Sequence, residues 1–243
     1  AGTWPDQKRL GFLHRSPPIP MSRIYPGMTA PARIDVGLDD LFAFLLDREW
    51  LRMDDVPLRI TRCLVDANGT YSDDIFKTCR NSQYASVLTP SFGFGITAKK
   101  LPISRLPRNK GRRDIGPEWA PKKAERGQIP AVIFDANYWK TQFHKQLSMA
   151  KGERGALVLY DAEPETHRRT AEGYRSELPV EVSAHNRTVC EWSEIPNREN
   201  HPLDCAVGCM VAASMEGVKT VERVAPVKER LSLSAMASRG GRA

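Results

Sequence analysis

Apolar residues recur along the chain in short separated runs, and the spacing within each run predicts the element that it forms. Helical spacing over 38–46 predicts a helix, with acidic residues near its start, where the helix dipole favours negative charge. The stretch 58–65 begins as an alternating strand and ends fully apolar, which is typical of a strand entering the middle of a sheet. A helix is predicted over 72–80, followed by a short strand at 86–89 that we expect Pro90 to end.

The second half of the chain continues this alternation of strands and helices. Strands are predicted at 131–134, 156–160, 180–183 and 188–192. Helices are predicted at 139–149 and 201–216. Strands that alternate with helices favour an α/β domain built on a mostly parallel sheet.

Three regions are predicted from the distribution of proline and of apolar runs. Residues 1–32 contain six prolines and little apolar periodicity, so we expect an irregular arm. Residues 33–222 carry the folded domain, and residues 223–243 form a flexible tail. The longest nearly apolar run, 205–214, is too short to cross a bilayer, and no secretory signal begins the chain.

Positive charge is concentrated in one segment, residues 99–126. The 243-residue chain has a net charge of +7, and this segment holds ten basic and three acidic residues, which equals the whole surplus. Such a segment favours a nucleic acid partner, because phosphate contacts release counterions; the alternative is a solvated basic loop. Its basic residues are Lys99, Lys100, Arg105, Arg108, Lys110, Arg112, Arg113, Lys122, Lys123 and Arg126.

The five cysteines lack the spacing of a disulfide framework. Cys63 lies in a predicted strand, and Cys205 and Cys209 lie on the last predicted helix, so all three are expected to be small buried residues. This usage fits the reducing cytoplasm.

Three aspartates occupy positions that a folded sheet can bring to one edge. Asp66 and Asp135 each follow an apolar strand, and Asp204 lies in the first turn of the last helix. Side chains at the carboxyl ends of parallel strands converge on the crevice where ligands bind. Each aspartate also has a structural interpretation: Asp66 as a turn residue, Asp135 as a helix cap, and Asp204 as a dipole partner.

Clustered carboxylates indicate a site for divalent metal. Mg²⁺ and Mn²⁺ prefer oxygen ligands, and a pair of ions about 4 Å apart can clamp an in-line phosphoryl displacement. Carboxylates held that close repel one another without metal, so such a cluster is expected to function with metal bound.

Other sites fit the sequence less well. His201, Cys205 and Cys209 share a helix face, which suggests zinc, but no Cys-x-x-Cys partner exists. A serine hydrolase would need a Gly-x-Ser-x-Gly elbow, which is absent. Tyr138, Trp139 and Phe143 have a spacing that suits base stacking or, more commonly, core packing.

Four motifs resemble the carboxyl-terminal nuclease region of the lambda-type phage terminase large subunits. They are Cys-Leu-Val-Asp-Ala-Asn-Gly at 63–69, Asp-Ile-Phe-Lys-Thr-Cys-Arg at 74–80, Phe-Asp-Ala-Asn-Tyr-Trp-Lys at 134–140, and the long Asn-His-Pro-Leu-Asp-Cys-Ala-Val-Gly-Cys motif that begins at 200. The resemblance covers roughly residues 38–218. It implies an RNase H-like mixed sheet flanked by helices, and an endonuclease that uses Mg²⁺ or Mn²⁺ to cut concatemeric double-stranded DNA during genome packaging.

The resemblance also implies roles for individual residues. Asp66 and Asp204 correspond to metal ligands, and Asp135 is the candidate for the middle ligand. No carboxylate follows the strand at 87–91, where related nucleases carry one, so Glu181 is kept as a reserve ligand. Lys140 is assigned to DNA, with a solvated helix lysine as the alternative.

The partners implied are double-stranded DNA, a small terminase subunit, a portal and a separate ATPase motor. This chain has no Gly-x-x-x-x-Gly-Lys-Ser/Thr loop, so we expect it to be an excised domain or a remnant without the motor. Two other functions remain open: a DNA-binding or docking module that has lost its chemistry, and a nuclease resembling a junction resolvase.

Overall fold

The structure is a computed structural model, and it describes residues 20–52, 54–105, 116–122, 129–159 and 163–218. In those ranges the helices are α1 (Met21–Ile24), α2 (Ala30–Leu46), α3 (Ser72–Asn81), α4 (Ala136–Leu147), α5 (Pro164–Tyr174) and α6 (His201–Met215). The strands are β1 (Trp50–Leu51), β2 (Pro57–Leu58), β3 (Cys63–Asp66), β4 (Leu88–Phe94), β5 (Trp119–Lys122), β6 (Ala131–Asp135), β7 (Glu177–Ala184) and β8 (Arg187–Glu194).

A four-stranded sheet forms the centre of the fold, in the order β3-β4-β6-β5. Strands β3, β4 and β6 are parallel, and β5 is antiparallel to β6. Two antiparallel pairs, β1–β2 and β7–β8, lie outside this sheet. The predicted α/β class, a mixed sheet flanked by helices, is therefore confirmed.

The two faces of the sheet have separate apolar cores, because successive side chains on a strand point to opposite faces. Val132 and Phe134 of β6 pack with Trp139 of α4 and with Leu203 and Val211 of α6. On the other face, apolar side chains of β3 and β4 pack with α2 and α3. Each large apolar side chain buried in this way contributes about 1.5–3 kcal/mol, so the sheet holds α4 and α6 firmly on one side.

Strand β4 continues through Pro90 and Gly93, where the sequence predicted its end. Pro90 lies one residue before the first pair of the β4–β6 ladder, Ser91 with Val132, so its missing N–H interrupts no bond between these strands. Gly93 pairs with Phe134, and a Cβ on Gly93 would lie 2.8 Å from Cζ of the Phe134 ring. The absence of a side chain at Gly93 therefore allows the Phe134 ring to pack against strand β4.

The helix predicted at 38–46 begins eight residues earlier in the structure, at Ala30. Helix α2 begins at Ala30, after Thr29, whose side chain accepts a hydrogen bond from the Ala32 N–H at 3.4 Å. Pro31 falls in its first turn, where proline is tolerated because the missing N–H would have no helical partner. Within the predicted arm, 21–24 and 30–32 are helical and 25–29 are irregular, and its first 19 residues lie outside the described ranges.

The predicted strand at 58–65 is divided between two sheets, because its first residue belongs to β2 and its end forms β3.

The prediction of a strand at 156–160 is wrong for 156–159, which form no strand. Leu157 packs on the core and its N–H donates to the Gln146 carbonyl at 3.0 Å, whereas Val158 is exposed. Tyr160 lies outside the described residues. Strand β5 and helix α5 were not predicted. No helix in the described ranges combines the length and the apolarity needed to cross a bilayer.

Candidate active site

Asp66 lies at the carboxyl end of β3 with an exposed side chain. It has the same parity along the strand as Leu64, which packs on the core beneath α4 and α6. Its Oδ1 accepts a hydrogen bond from the Asn68 N–H at 3.0 Å, and the Asn68 side chain donates to the Gly93 carbonyl at 3.2 Å. The loop after β3 is thus hydrogen-bonded to β4, and the Asp66 carboxylate is exposed at the end of the strand.

Helix α6 lies along β3 in the opposite direction, so its first turn comes to the carboxyl end of the strand. At the other end, Arg62 Nε and Glu216 Oε1 form an ion pair of 2.5 Å. Near the first turn, the pKa of the Cys205 thiol is raised to about 11 by desolvation and then by the charges of Cys209, Asp204 and Asp66. Because α6 runs back along β3, Asp66 and the first turn of α6, which carries Asp204, lie at the same end of the sheet.

Asp204 is linked to a buried ion-pair network through Lys140 of α4. Lys140 Nζ lies 3.0 Å from Asp204 Oδ1 and 2.5 Å from Glu177 Oε1. Lys140 is only 8% exposed and Glu177 only 5%, whereas the Asp204 side chain is 49% exposed. The Asn200 side chain also donates to Glu177 Oε1 at 3.1 Å. Lys140 is thus neither a solvated helix lysine nor an open phosphate contact.

Glu177 was not predicted as a site residue, whereas Glu181 was. Both lie on β7, but Glu181 is exposed and four residues further along the strand, about 13 Å away at the usual rise. Glu181 is therefore not part of the network around Asp204. Glu177 is only weakly indicated by the sequence, because its partners lie 37 and 23 residues away in the chain.

Asp135 is buried, at 4% exposure, and it caps helix α4. Its Oδ1 accepts hydrogen bonds from the N–H groups of Asn137 at 3.0 Å, Tyr138 at 3.3 Å and Ile96 at 3.1 Å. Burial raises the pKa of Asp135 to about 6, Glu118 adds to the rise, and the three N–H donors oppose it. The capping interpretation of this residue is the one that the structure supports.

The structure does not bring Asp135 together with Asp66. In the register of the sheet Asp66 is level with Ser91 and Val132, and Asp135 lies three residues further along, two strands away. Standard strand spacings place their Cα atoms roughly 14 Å apart. Asp135 also has the parity of Ile133, which packs on the opposite face of the sheet from Leu64. Ser91 pairs with Asp66 in the register, so within the described strand β4 the position next to Asp66 holds no acid.

The donor set at this edge consists of two exposed carboxylates. Within the described ranges, no group of three or more His, Cys, Asp or Glu side chains is arranged to hold a metal ion, which counts against the zinc interpretation of His201, Cys205 and Cys209. Mg²⁺ is commonly held by one or two carboxylates together with waters and substrate phosphates. Asp66 and Asp204 fit that mode of binding, and they do not fit a site made of protein ligands alone.

The basic residues of 99–126 are described only in part. Lys99, Lys100 and Arg105 are exposed, whereas Lys122 Nζ lies 3.8 Å from the centre of the Phe92 ring. The remaining predicted DNA contacts lie outside the described residues: Arg108, Lys110, Arg112, Arg113, Lys123 and Arg126.

The structure shows which of the cysteines and aromatic residues near the site are buried. All five cysteines are free thiols, and Cys79 is buried. Cys63 is half-buried. Cys205 and Cys209 are exposed residues, although desolvation raises the pKa of both thiols, so their predicted burial is wrong. Helix α6 packs through its other face, on which Leu203 and Val207 lie. Trp139 and Phe143 are buried in the core, as the packing interpretation predicted.

Comparison with known proteins gives one family match. The family model of the terminase large subunit gpA endonuclease domain matches residues 26–224 of the chain, and so includes α2, the central sheet and α6. No curated protein and no solved structure gives a significant match.

Proposed function

Because the chain belongs to the family of the terminase large subunit gpA endonuclease domain, we propose that it is a metal-dependent nuclease that cuts concatemeric double-stranded DNA. The family supports a nuclease role in phage DNA packaging. The observation that supports the finer proposal is that two exposed carboxylates from distant parts of the chain, Asp66 at the end of β3 and Asp204 in the first turn of α6, lie at the same end of the central sheet.

In this proposal Asp66 and Asp204 hold Mg²⁺ or Mn²⁺, and phosphate oxygens and water complete its ligands. The bound metal would supply an acidic water and neutralise charge on the phosphate. Asp66 is presented by a strand end and Asp204 by a packed helix, so both carboxylates are oriented before DNA arrives. Asp135 is left out of the ligand set because it caps α4 on the other face.

We assign DNA binding to the basic segment 99–126. Lys99, Lys100 and Arg105 are exposed and would contact the phosphate backbone without reading sequence. The likeness to a terminase endonuclease domain also makes a small subunit, a portal and an ATPase motor the proposed partners, with the motor in a separate chain or domain.

A plasmid-nicking assay with the full chain tests the proposal. Wild-type protein is expected to nick in Mn²⁺ and to lose the activity in EDTA. Asp66→Asn and Asp204→Asn are expected to lower the rate at least about 100-fold while DNA binding is retained, since each removes a metal ligand and leaves the basic segment. Asp73→Asn, an exposed aspartate of α3, is the matched control and should keep the wild-type rate. Equal rates for all four proteins would contradict the assignment.

A DNA-binding module without catalytic activity is the second candidate, and two observations favour it. Among the described residues the acids do not form a three-ligand metal cluster, and Ser91 stands where a middle acid is expected. Metal-independent DNA binding with no nicking in Mn²⁺ or Mg²⁺ would favour this function.

A further inference from the structure

Lys140 is a buried cation held between two carboxylates from different elements. Burying an ammonium group is costly unless its charge is paired with good geometry. Here the pairing is close on both sides, at 2.5 Å to Glu177 and 3.0 Å to Asp204. The position of Lys140 is therefore determined by its partners and by the packing of α4.

The two partners of Lys140 differ in their freedom to move. Glu177 is buried at the start of β7, and its Oε1 also accepts the Asn200 side-chain N–H. Asn200 precedes α6 and bonds to Glu177 and Glu194 rather than capping the helix. The Asp204 side chain is half exposed and therefore freer to move than Glu177. Because Glu177 fixes the position of Lys140, the ion pair with Lys140 sets the orientation of the Asp204 carboxylate.

We propose that Glu177 and Lys140 are positioning residues: Glu177 fixes Lys140, and Lys140 holds the Asp204 carboxylate beside the edge where Asp66 lies. The role rests on the proposed function, because it concerns the orientation of a proposed metal ligand. Lys140 also offsets the repulsion between the Glu177 and Asp204 carboxylates, both of which lie within 3.0 Å of its Nζ. The network joins α4, β7 and α6, which are far apart in sequence.

Lys140→Met is the first test, with Lys145→Met, an exposed lysine on the same helix, as the matched control. Lys140→Met is expected to lower kcat for nicking about 10- to 100-fold with KM for DNA unchanged, as is typical when a residue that orients a metal ligand is removed. Calorimetric titration with Mn²⁺ in the absence of DNA should show binding weakened by about 10-fold. Lys145→Met should match wild type in all three measurements.

A second variant separates positioning from fold stability. Lys140→Met leaves Glu177 buried without its cation, so its melting temperature is expected to fall. The double variant Lys140→Met/Glu177→Gln removes that unpaired charge and keeps an acceptor for Asn200, so thermal stability should recover. Its kcat should stay low, because nothing holds Asp204. Lys140→Arg, which keeps the charge, should regain part of the activity.

The outcomes that overturn the inference differ from those that overturn the proposed function. Recovery of wild-type kcat in the double variant would make Lys140 merely structural. A raised KM with unchanged kcat in Lys140→Met would make it a DNA contact. If Asp204→Asn abolishes nicking but Lys140→Met matches wild type, only the positioning role fails. If the wild-type protein does not nick, the proposed function fails, and equal Mn²⁺ affinity in wild type and Lys140→Met overturns the inference as well.

Discussion

Asp66 and Asp135 end similar apolar strands, yet their carboxylates lie in opposite environments. Asp66 is exposed and bonds one N–H of its own loop, whereas Asp135 is buried and accepts three N–H groups. The difference comes from the segment after each strand: α4 begins directly after Asp135, while several loop residues separate Asp66 from α3. A carboxylate that caps a helix has its oxygen committed to backbone donors, and one that ends in a loop keeps its oxygens for a ligand.

The raised pKa of Asp135 predicts a pH-dependent stability. Its pKa is about 6 in the folded chain against an ordinary value of 3.8, so between these values the folded state keeps a proton that the unfolded state has lost. The free energy of unfolding should therefore fall as the pH rises from about 4 to about 6, by up to about 3 kcal/mol from this residue. Urea denaturation at pH 4.5 and pH 7 measures the change.

Asp135→Asn keeps an acceptor for the cap and cannot ionise, so its unfolding free energy should fall less between the two pH values than that of wild type. Asp135→Ala is the control for the cap and should lose about 1 kcal/mol or more at both, because buried N–H groups lose their acceptor. The same pH dependence in wild type and Asp135→Asn would show that other groups cause it. Loss of nicking in a stable Asp135→Asn would return this residue to the active site.

At the scale of single elements, β4 shows a conflict between local preference and sheet packing. Proline and glycine predict a break, but the strand lies between two parallel neighbours, and Gly93 accommodates the Phe134 ring. Gly93→Ala is expected to lower the free energy of unfolding by about 1–3 kcal/mol, since its methyl group would overlap the ring. Chemical denaturation measures the loss.

Gly208→Ala on α6 is the control for that substitution, because a Cβ there meets nothing within 4 Å. It should stabilise the chain by roughly 0.5–1 kcal/mol, as expected for alanine in place of glycine in a helix. The double variant Gly93→Ala/Phe134→Leu should regain part of the loss. A stable Gly93→Ala would show that the ring does not lie over this strand.

The β7–β8 hairpin carries a strained two-residue turn. His185 and Asn186 have φ values of +50° and +58°, a conformation that glycine and asparagine adopt more easily than other residues. The double substitution His185→Asn/Asn186→Gly should therefore raise the free energy of unfolding by about 1 kcal/mol, measured by urea denaturation. Asn186→Ala should lower it, and the opposite order of the two variants would contradict the turn geometry.

Elements are predicted correctly from the sequence where the apolar periodicity and the capping residues agree. Prediction fails where contacts between residues distant in the chain determine the structure. The last helix, predicted at 201–216, is observed as His201–Met215, because its apolar face and its first-turn acid are local features. The arm prediction was wrong at 30–32, because Pro31 lies in a helical first turn, whereas 25–29 are irregular as predicted. The Lys140–Glu177 pair joins residues 37 positions apart, and no local pattern indicates that two charged side chains will be buried together.

In the whole molecule, the positive surplus and the proposed metal ligands lie in different segments of the chain. The acids lie on the sheet edge and on α6, whereas the positive surplus lies in 99–126. If the exposed lysines of this segment bind phosphates, Lys99→Gln/Lys100→Gln should reduce the slope of log binding constant against log salt by about 1.8, or 0.9 for each phosphate contact on duplex DNA. Fluorescence anisotropy with a labelled duplex at several salt concentrations measures the slope.

Lys77→Gln/Lys151→Gln removes two exposed lysines outside the segment and is the charge-matched control. Its salt slope should equal that of wild type, since the counterions released belong to the contacted phosphates. Equal slopes for all three proteins would mean that Lys99 and Lys100 do not contact DNA and that the basic segment acts only through the field of its net charge, if at all.

A crystal structure of the full chain grown with Mn²⁺, with anomalous diffraction recorded near the manganese absorption edge, tests whether Asp66 and Asp204 share a metal ion. An anomalous peak is expected within about 2.2 Å of carboxylate oxygens of both residues, and it should be lost in Asp204→Asn. A peak bound by Asp135 in place of Asp66, or no peak at this edge at millimolar Mn²⁺, would contradict the shared metal site.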